Sequence, residues 1–206
     1  MEEIINEEVG LFMEEIQKSE GKPFDFINKF NLPILNALWR VTVGQRFDYD
    51  DPRLISIIHK LTDLLKRAAD PSAILIILLP SWVTKIYPKL FGRDQTLAVN
   101  HDIMGMMKKS IKEHEESLDP NEPRDFTDKV LIEIARTTDP TSSYYGEAGK
   151  EHLANTLMDM FIAGSETTST TLTWAMLYMA RYLVVLEKVV EELDRVVGRG
   201  RAPSLR

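Results

Sequence analysis

AGSETTSTT, residues 163–171, places a cluster of hydroxyl side chains inside a segment whose apolar residues otherwise follow helical spacing. Leu153 and Leu157 precede the cluster, and Leu172 and Met176 follow it. Apolar residues at such intervals predict one long helix. Hydroxyl and β-branched side chains are mediocre helix formers because they lose χ1 freedom and compete for backbone hydrogen bonds. Their concentration here therefore indicates a specific role, in packing or in chemistry.

Helical periodicity also dominates the rest of the chain, and no segment shows the alternation expected of a strand. The predicted helices run to about residue 21, then across 26–43, 54–65, 94–117 and 125–136, and finally from Leu186 to a glycine cap at Gly198. The polar segment 137–151, with a proline and two glycines, predicts a loop before the hydroxyl-rich helix. The expected fold class is all-α.

Composition excludes several classes of function. The formal net charge of −7 argues against nucleic-acid binding, which needs a basic surface. The 206 residues contain no cysteine, so this chain holds no disulfide, zinc finger, catalytic thiol or thiolate ligand for iron. The acidic first residues do not resemble a signal peptide, and the longest apolar run, Ala73–Leu79, is too short to span a bilayer.

The opening segment contains an acid next to an alcohol. Gly164 removes a side chain, so a flat or small ligand could lie close to the backbone there. The hydroxyl of Thr167 can donate to the carbonyl of Ala163, four residues earlier, which leaves a small polar notch. Glu166 adds a carboxyl group beside the notch, and an acid beside an alcohol is suited to proton transfer. The alternative is a helix packed through small residues, with its hydroxyls satisfied by backbone carbonyls.

The amino-acid sequences of four segments resemble one protein family. MDMFIAGSETTSTTLTWAMLYMARY, residues 158–182, is similar to the long central helix of the cytochromes P-450, whose Ala/Gly-Gly-x-Asp/Glu-Thr signature is matched from Ala163 to Thr167. LEKVVEELDRVVGRGRAPSL, residues 186–205, resembles the family's next helix. NALWRVTVGQRFDYDDP and HEESLDPNEPRDFTDKVLIEI, residues 36–52 and 114–134, resemble its microsomal drug- and steroid-oxidising branch.

The resemblance implies a haem monooxygenase that inserts one atom of O2 into an apolar small molecule. It implies that Thr167 hydrogen-bonds dioxygen at the haem and that Glu166 helps to deliver protons for O–O cleavage. Ala163, Gly164 and Thr167 would contact the haem, and Asp159, Ile162 and Ala163 would contact the substrate. The implied partners are NADPH as electron source through a cytochrome reductase, and a membrane surface at the cytosolic face of the endoplasmic reticulum.

Residues 1–206 are expected to form a partial domain, the central helices of the cytochrome P-450 fold, incomplete at both ends. The family's Glu-x-x-Arg helix and its axial cysteine would lie after residue 206, and its membrane anchor before residue 1. We therefore expect this chain alone to be inactive, either as a sequence fragment or as a truncated product. The alternative is a non-catalytic helical binding or interaction protein derived from the same fold.

Two further predictions concern other parts of the chain. The segment 71–92 has three prolines within an apolar run and Trp82 and Tyr87 beside lysines, which predicts a lid that dips into the membrane surface. The alternative is a loop buried in the core. His59, His101, His114 and His152 show no metal-ligand spacing within one helix. We interpret all four as helix-surface or boundary residues, and no metal site is predicted.

Overall fold

The computed structural model describes residues 1–49, 51–68 and 93–204. Within these ranges every regular element is a helix, which confirms the all-α prediction. The described helices are α1 Glu2–Gln17, α2 Asn31–Val43, α3 Pro52–Ala68, α4 Arg93–Ser117, α5 Phe126–Arg136, α6 Gly146–Arg181 and α7 Leu183–Val196. None of them combines the length and the hydrophobicity needed to cross a membrane. The predicted lid at residues 71–92 lies outside the described residues.

The predicted loop 137–151 is too long, because helix α6 already begins at Gly146. Its first turn is polar since it faces solvent. Lys150 there donates to Glu147 at 2.9 Å and to Glu115 of α4 at 2.6 Å. The Glu147–Lys150 pair is at helical spacing, and such pairs support a polar turn that carries no apolar signal. At the other end of the chain, the predicted glycine cap is confirmed: Gly198 has a φ of 78° and donates its N–H to the carbonyl of Leu193.

The chain divides into two compact units. One comprises residues 1–41 and 163–206. In it, four phenylalanines connect α1 to the segment before α2, with Phe12 and Phe30 at 4.9 Å and Phe26 and Phe30 at 5.7 Å between ring centroids. Leu35 of α2 is fully buried in this unit. The aromatic contacts fix the approach of the chain to the first residue of α2, Asn31.

The other unit comprises residues 42–162. Its centre is α4, which contacts both α3 and α5. The buried side chains of α4 recur every four residues and form one stripe: Val99, Ile103, Met107 and Ile111. The first half of α6 contributes a similar stripe of Leu153, Leu157 and Phe161, the last of them at the end of the unit. Stripes of this kind are what an amphipathic helix buries against its neighbours.

Candidate active site on the hydroxyl-rich helix

Helix α6 presents two different faces along the hydroxyl cluster. Ser165 and Ser169 are buried, and both continue the stripe that Phe161 belongs to. Ala163 and Thr167 are exposed. A step of two residues turns about 200° around a helix of 3.6 residues per turn, so these two pairs lie on opposite faces. One face of α6 therefore carries small side chains that are buried, and the opposite open face carries small side chains that are exposed.

The hydrogen bond predicted from the sequence between Thr167 and Ala163 is present. Thr167 Oγ1 donates to the carbonyl oxygen of Ala163 at 2.8 Å, four residues earlier. Thr171 donates in the same way to Thr167 O at 2.8 Å, and Thr173 donates to Ser169 O at 2.9 Å. A hydroxyl that bonds back to its own helix satisfies itself without disrupting the helix. These bonds explain how one helix tolerates so many hydroxyl residues.

Glu166 is half-buried and is held by a residue that the sequence analysis did not identify. Asn31, the first residue of α2, donates from Nδ2 to Glu166 Oε2 at 3.2 Å. The Asn31 side chain also accepts a hydrogen bond from the hydroxyl of Ser169. Asn31 and Glu166 are separated by 135 residues in the sequence. No local pattern marks Asn31, so spacing arguments could not have found it.

Gly164 is half-buried and lies against α2. A Cβ atom at this position would stand 2.7 Å from Cδ2 of Leu38, well inside van der Waals contact. The close approach of α2 therefore leaves little space here, and a Cβ atom would displace the tip of the Leu38 side chain. Asn31 meets Glu166 and Leu38 meets Gly164, so α2 contacts α6 at two neighbouring positions of the hydroxyl-rich segment. The predicted contact of Gly164 with a haem stays a prediction.

The predicted substrate residues Asp159 and Ile162 precede the notch within the same helix. Asp159 is exposed and Ile162 is half-buried. The structure gives neither residue a partner that bears on a substrate, so their role also stays a prediction. Ala163, the third predicted substrate residue, is exposed beside the notch.

The surface around the notch fits one side of a flat apolar group. Ala163 and Thr167 are small and exposed, and they stand one turn apart on the open face of α6. A planar macrocycle can approach a helix closely only where such small side chains face it. The residues present therefore fit the distal side of a haem. With no cysteine, this chain offers no thiolate for the opposite side.

The prediction that His114 is a surface or boundary residue is wrong, because its side chain is 4% exposed. Its Nδ1 lies 2.7 Å from the carbonyl oxygen of Ser110, and its Nε2 lies 2.9 Å from Oδ2 of Asp125. Asp125 comes eleven residues after His114 and is the N-cap of α5, a contact that helical spacing does not reveal.

Ligand-type atoms of His114, Asp125 and Asp128 lie within 4.8 Å of one another. Each of these residues already has protein partners. Asp125 Oδ1 accepts from the Asp128 backbone at 2.9 Å, and Asp128 accepts from Arg124 Nε at 2.6 Å and Nη2 at 2.9 Å. These hydrogen bonds from Arg124 hold the pKa of Asp128 below its ordinary value. The cluster is thus a hydrogen-bonded staple between α4 and α5.

The described helices and the notch together define an all-α protein with an acid–alcohol pair in a long helix. The family model for cytochrome P450 matches residues 1–206, so the chain belongs to the cytochrome P450 family. It is 36% identical to cytochrome P450 2F2 of Mus musculus over 208 residues and 38% identical to cytochrome P450 2J2 of Homo sapiens over 206 residues. Cytochrome P450 2C7 of Rattus norvegicus is 34% identical over 206 residues.

These matches cover 99–100% of this chain and 39–41% of the relatives. The chain therefore spans about 40% of the length of the curated relatives it matches.

Proposed function

We propose that the complete protein is a haem-dependent monooxygenase and that α6 forms the distal wall of its oxygen-activating site. The observation that carries this proposal is the Thr167 hydroxyl, exposed on the open face of α6 and bonded to the Ala163 carbonyl, with Glu166 held next to it. Membership of the cytochrome P450 family supports it. When bound, the haem would supply the activation of O2 for insertion of one oxygen atom into an apolar substrate.

Thr167 positions a proton at Oγ1. Its hydrogen points to Ala163 O, so the oxygen keeps lone pairs that accept a hydrogen bond from water. Rotation about the Cβ–Oγ1 bond redirects that hydrogen from the carbonyl to a ligand on the open face. The hydroxyl can therefore pass on one proton as it accepts another, without moving the backbone.

Glu166 holds the proton that Thr167 passes on. Neighbouring helix residues point about 100° apart and do not face each other, so a water molecule must connect the two side chains. General acid–base groups work through one water as well as directly. Ala163 and Gly164 would border the haem, and Asp159, Ile162 and Ala163 would border the substrate on the turns that precede Thr167.

The remaining parts of the proposal follow from the family. Electrons would come from NADPH through a cytochrome reductase, and the substrate would be an apolar small molecule. The protein would lie at the cytosolic face of the endoplasmic reticulum membrane. The thiolate ligand of the haem iron would come from a cysteine outside residues 1–206, since these contain none.

The test is Thr167→Ala in the complete haem-loaded enzyme. We expect haem binding and reduction to be retained, because this hydroxyl takes part in neither. Loss of a positioned proton donor slows the step it serves by roughly 10²–10⁴-fold. Product per NADPH consumed should therefore fall while peroxide rises.

Two control variants isolate the role of that hydroxyl. Thr173→Ala removes the same kind of bond, to a carbonyl four residues back, from another face of the helix. Thr168→Ala removes an exposed hydroxyl about 100° further round. Both should keep the wild-type ratio of product to NADPH. If Thr167→Ala keeps that ratio too, the hydroxyl cluster serves packing alone.

A further inference from the structure

Asn31 connects two residues of the hydroxyl-rich helix through the two ends of its amide. It is 3% exposed, and Ser169 is 2% exposed, so this contact is shielded from water. The amide nitrogen donates to the Glu166 carboxyl at 3.2 Å, and the amide oxygen accepts from the Ser169 hydroxyl. Glu166 and Ser169 stand three residues apart on α6, which lets one asparagine reach both.

The orientation of the amide follows from the chemistry of its partners. Oε2 of Glu166 accepts a hydrogen bond, so the NH2 group of Asn31 faces it. The amide oxygen then faces Ser169, whose hydroxyl donates to it. Ser169 thus gives the amide oxygen a buried partner in this orientation.

Residues before and after Asn31 in the sequence make contacts that hold it in place. Phe30, directly before it, stacks with Phe26 and contacts Phe12. Further along α2, Leu38 rests against Gly164, which sets the distance between the two helices. An amide mounted at the start of a packed helix has little freedom to follow a moving partner. The carboxyl group of Glu166 therefore takes its orientation from α2.

We infer that Asn31 is the positioning residue for Glu166: it fixes the carboxyl group so that the water it binds stands within reach of Thr167. This role rests on the proposed proton delivery. Asn31 does not touch the reacting atoms. Its effect is on how often Glu166 and Thr167 are correctly placed, and hence on how much NADPH yields product instead of peroxide.

The first experiment compares Asn31→Ala, Asn31→Asp and Asn36→Ala in the complete haem-loaded enzyme. Asn36 is the matched control, a fully buried asparagine of the same helix. A small misplacement of a reacting group costs up to about 100-fold, so we expect product per NADPH to fall roughly tenfold in Asn31→Ala. Asn36→Ala should keep the wild-type ratio at temperatures where it is folded.

The aspartate variant separates positioning from a merely structural role. Asn31→Asp puts two carboxyl groups within hydrogen-bond distance, and such a pair retains a proton because both cannot ionise together. The protonated form can donate to its neighbour as the amide did. We expect its product ratio to rise as the pH falls from about 8 to 6, where the pair holds its proton more fully. Asn31→Ala should stay low throughout.

A second measurement does not depend on activity. Thermal unfolding midpoints of Asn31→Ala, Glu166→Ala and the double variant form a cycle, and residues in direct contact give non-additive changes. We expect the double variant to lose less than the sum of the two single losses. Additive losses would overturn the contact itself.

The outcomes separate the two proposals. If Glu166→Gln lowers the product ratio and Asn31→Ala leaves it within twofold of wild type, Asn31 is not a positioning residue, while the proton delivery stands. If neither variant lowers the ratio, proton delivery through Glu166 fails, and the positioning role fails with it. A non-additive thermal cycle would then assign Asn31 to stability alone.

Discussion

At the scale of single residues, Gly164 shows why a sequence motif and its structural cause can differ. Glycine inside a helix is destabilising relative to alanine by about 0.5–1 kcal/mol. Here glycine accommodates the close approach of Leu38, because an added Cβ atom would displace the tip of that side chain. For Thr167 the motif and its structural cause agree, because its hydrogen bond is local and is already implied by the four-residue spacing from Ala163.

Gly164→Ala should therefore destabilise the complete enzyme although alanine favours helices. Overpacking costs typically 1–3 kcal/mol, and the gain in helix propensity is about 1 kcal/mol, so the net loss should be about 0–2 kcal/mol. Gly105→Ala is the control: Gly105 lies inside α4 with no described atom near its would-be Cβ, and it should gain about 1 kcal/mol. Chemical denaturation of both variants measures the difference. Equal gains would show that Leu38 moves aside freely.

At the scale of helices, the staple between α4 and α5 depends on residues that cap and pair at the same time. Asp125 caps α5, and its Oδ2 also lies within hydrogen-bond distance of His114 Nε2 of α4. Thr127 donates to the carbonyl of Thr42 at 2.7 Å and ties the start of α5 to the end of α2. Gly44 follows with a φ of 65°, where a Cβ would stand 2.9 Å from Asp125 Oδ2. The start of α5 is thus fixed by contacts from three parts of the chain.

Asp128→Asn should make the stability of the complete enzyme less sensitive to acid. Arg124 lowers the pKa of Asp128 in the folded state, so its ionised form stabilises the fold above the unfolded pKa of about 3.9. That stabilisation is lost as the pH falls through the lowered folded pKa. Leaving a buried partner unpaired costs roughly 1–3 kcal/mol, and the low end applies because Arg124 is half-exposed.

Unfolding by denaturant at several pH values measures this effect. Asp194→Asn is the matched control, because Arg199 also lowers the pKa of Asp194, but that pair is exposed. It should change neither the stability nor its pH dependence measurably, as exposed pairs contribute little. If the stability of Asp128→Asn falls with decreasing pH in parallel with that of wild type, the assignment of this pair is contradicted.

At the scale of the whole chain, the apolar surface of α7 and the end of α6 is the dominant feature. None of the α7 residues is buried, and its exposed apolar side chains include Leu183 at 64%, Val189 at 38% and Leu193 at 46%. Trp174 and Leu177 of α6 are also more than half exposed. Contiguous apolar surface of this kind is covered in a stable assembly or drives association.

The 206-residue chain expressed alone should therefore self-associate and bind an apolar dye. Sedimentation velocity across a concentration series measures the association, and dye fluorescence measures the exposed surface. The double substitution Val189→Glu and Leu193→Lys should reduce both, since it places charges on the apolar face of α7. A soluble wild-type monomer with a sharp cooperative melt would contradict this prediction.

The sequence by itself determined the features that depend on residues close together in the chain. The helical class, most helix positions, the glycine cap at Gly198 and the Thr167–Ala163 hydrogen bond all depend on contacts no more than five residues apart. The predicted loop 137–151 was wrong at its end, because a polar first helical turn carries no apolar period.

Only the tertiary structure decided which distant residues meet. It placed Leu38 against Gly164, buried His114 with Asp125, and set Asn31 on Glu166 across 135 residues. A short polar side chain has no preferred partner until the surrounding helices bring one within about 3 Å. Burial then gives that contact its strength, because an amide or a carboxylate removed from water must be satisfied by the protein.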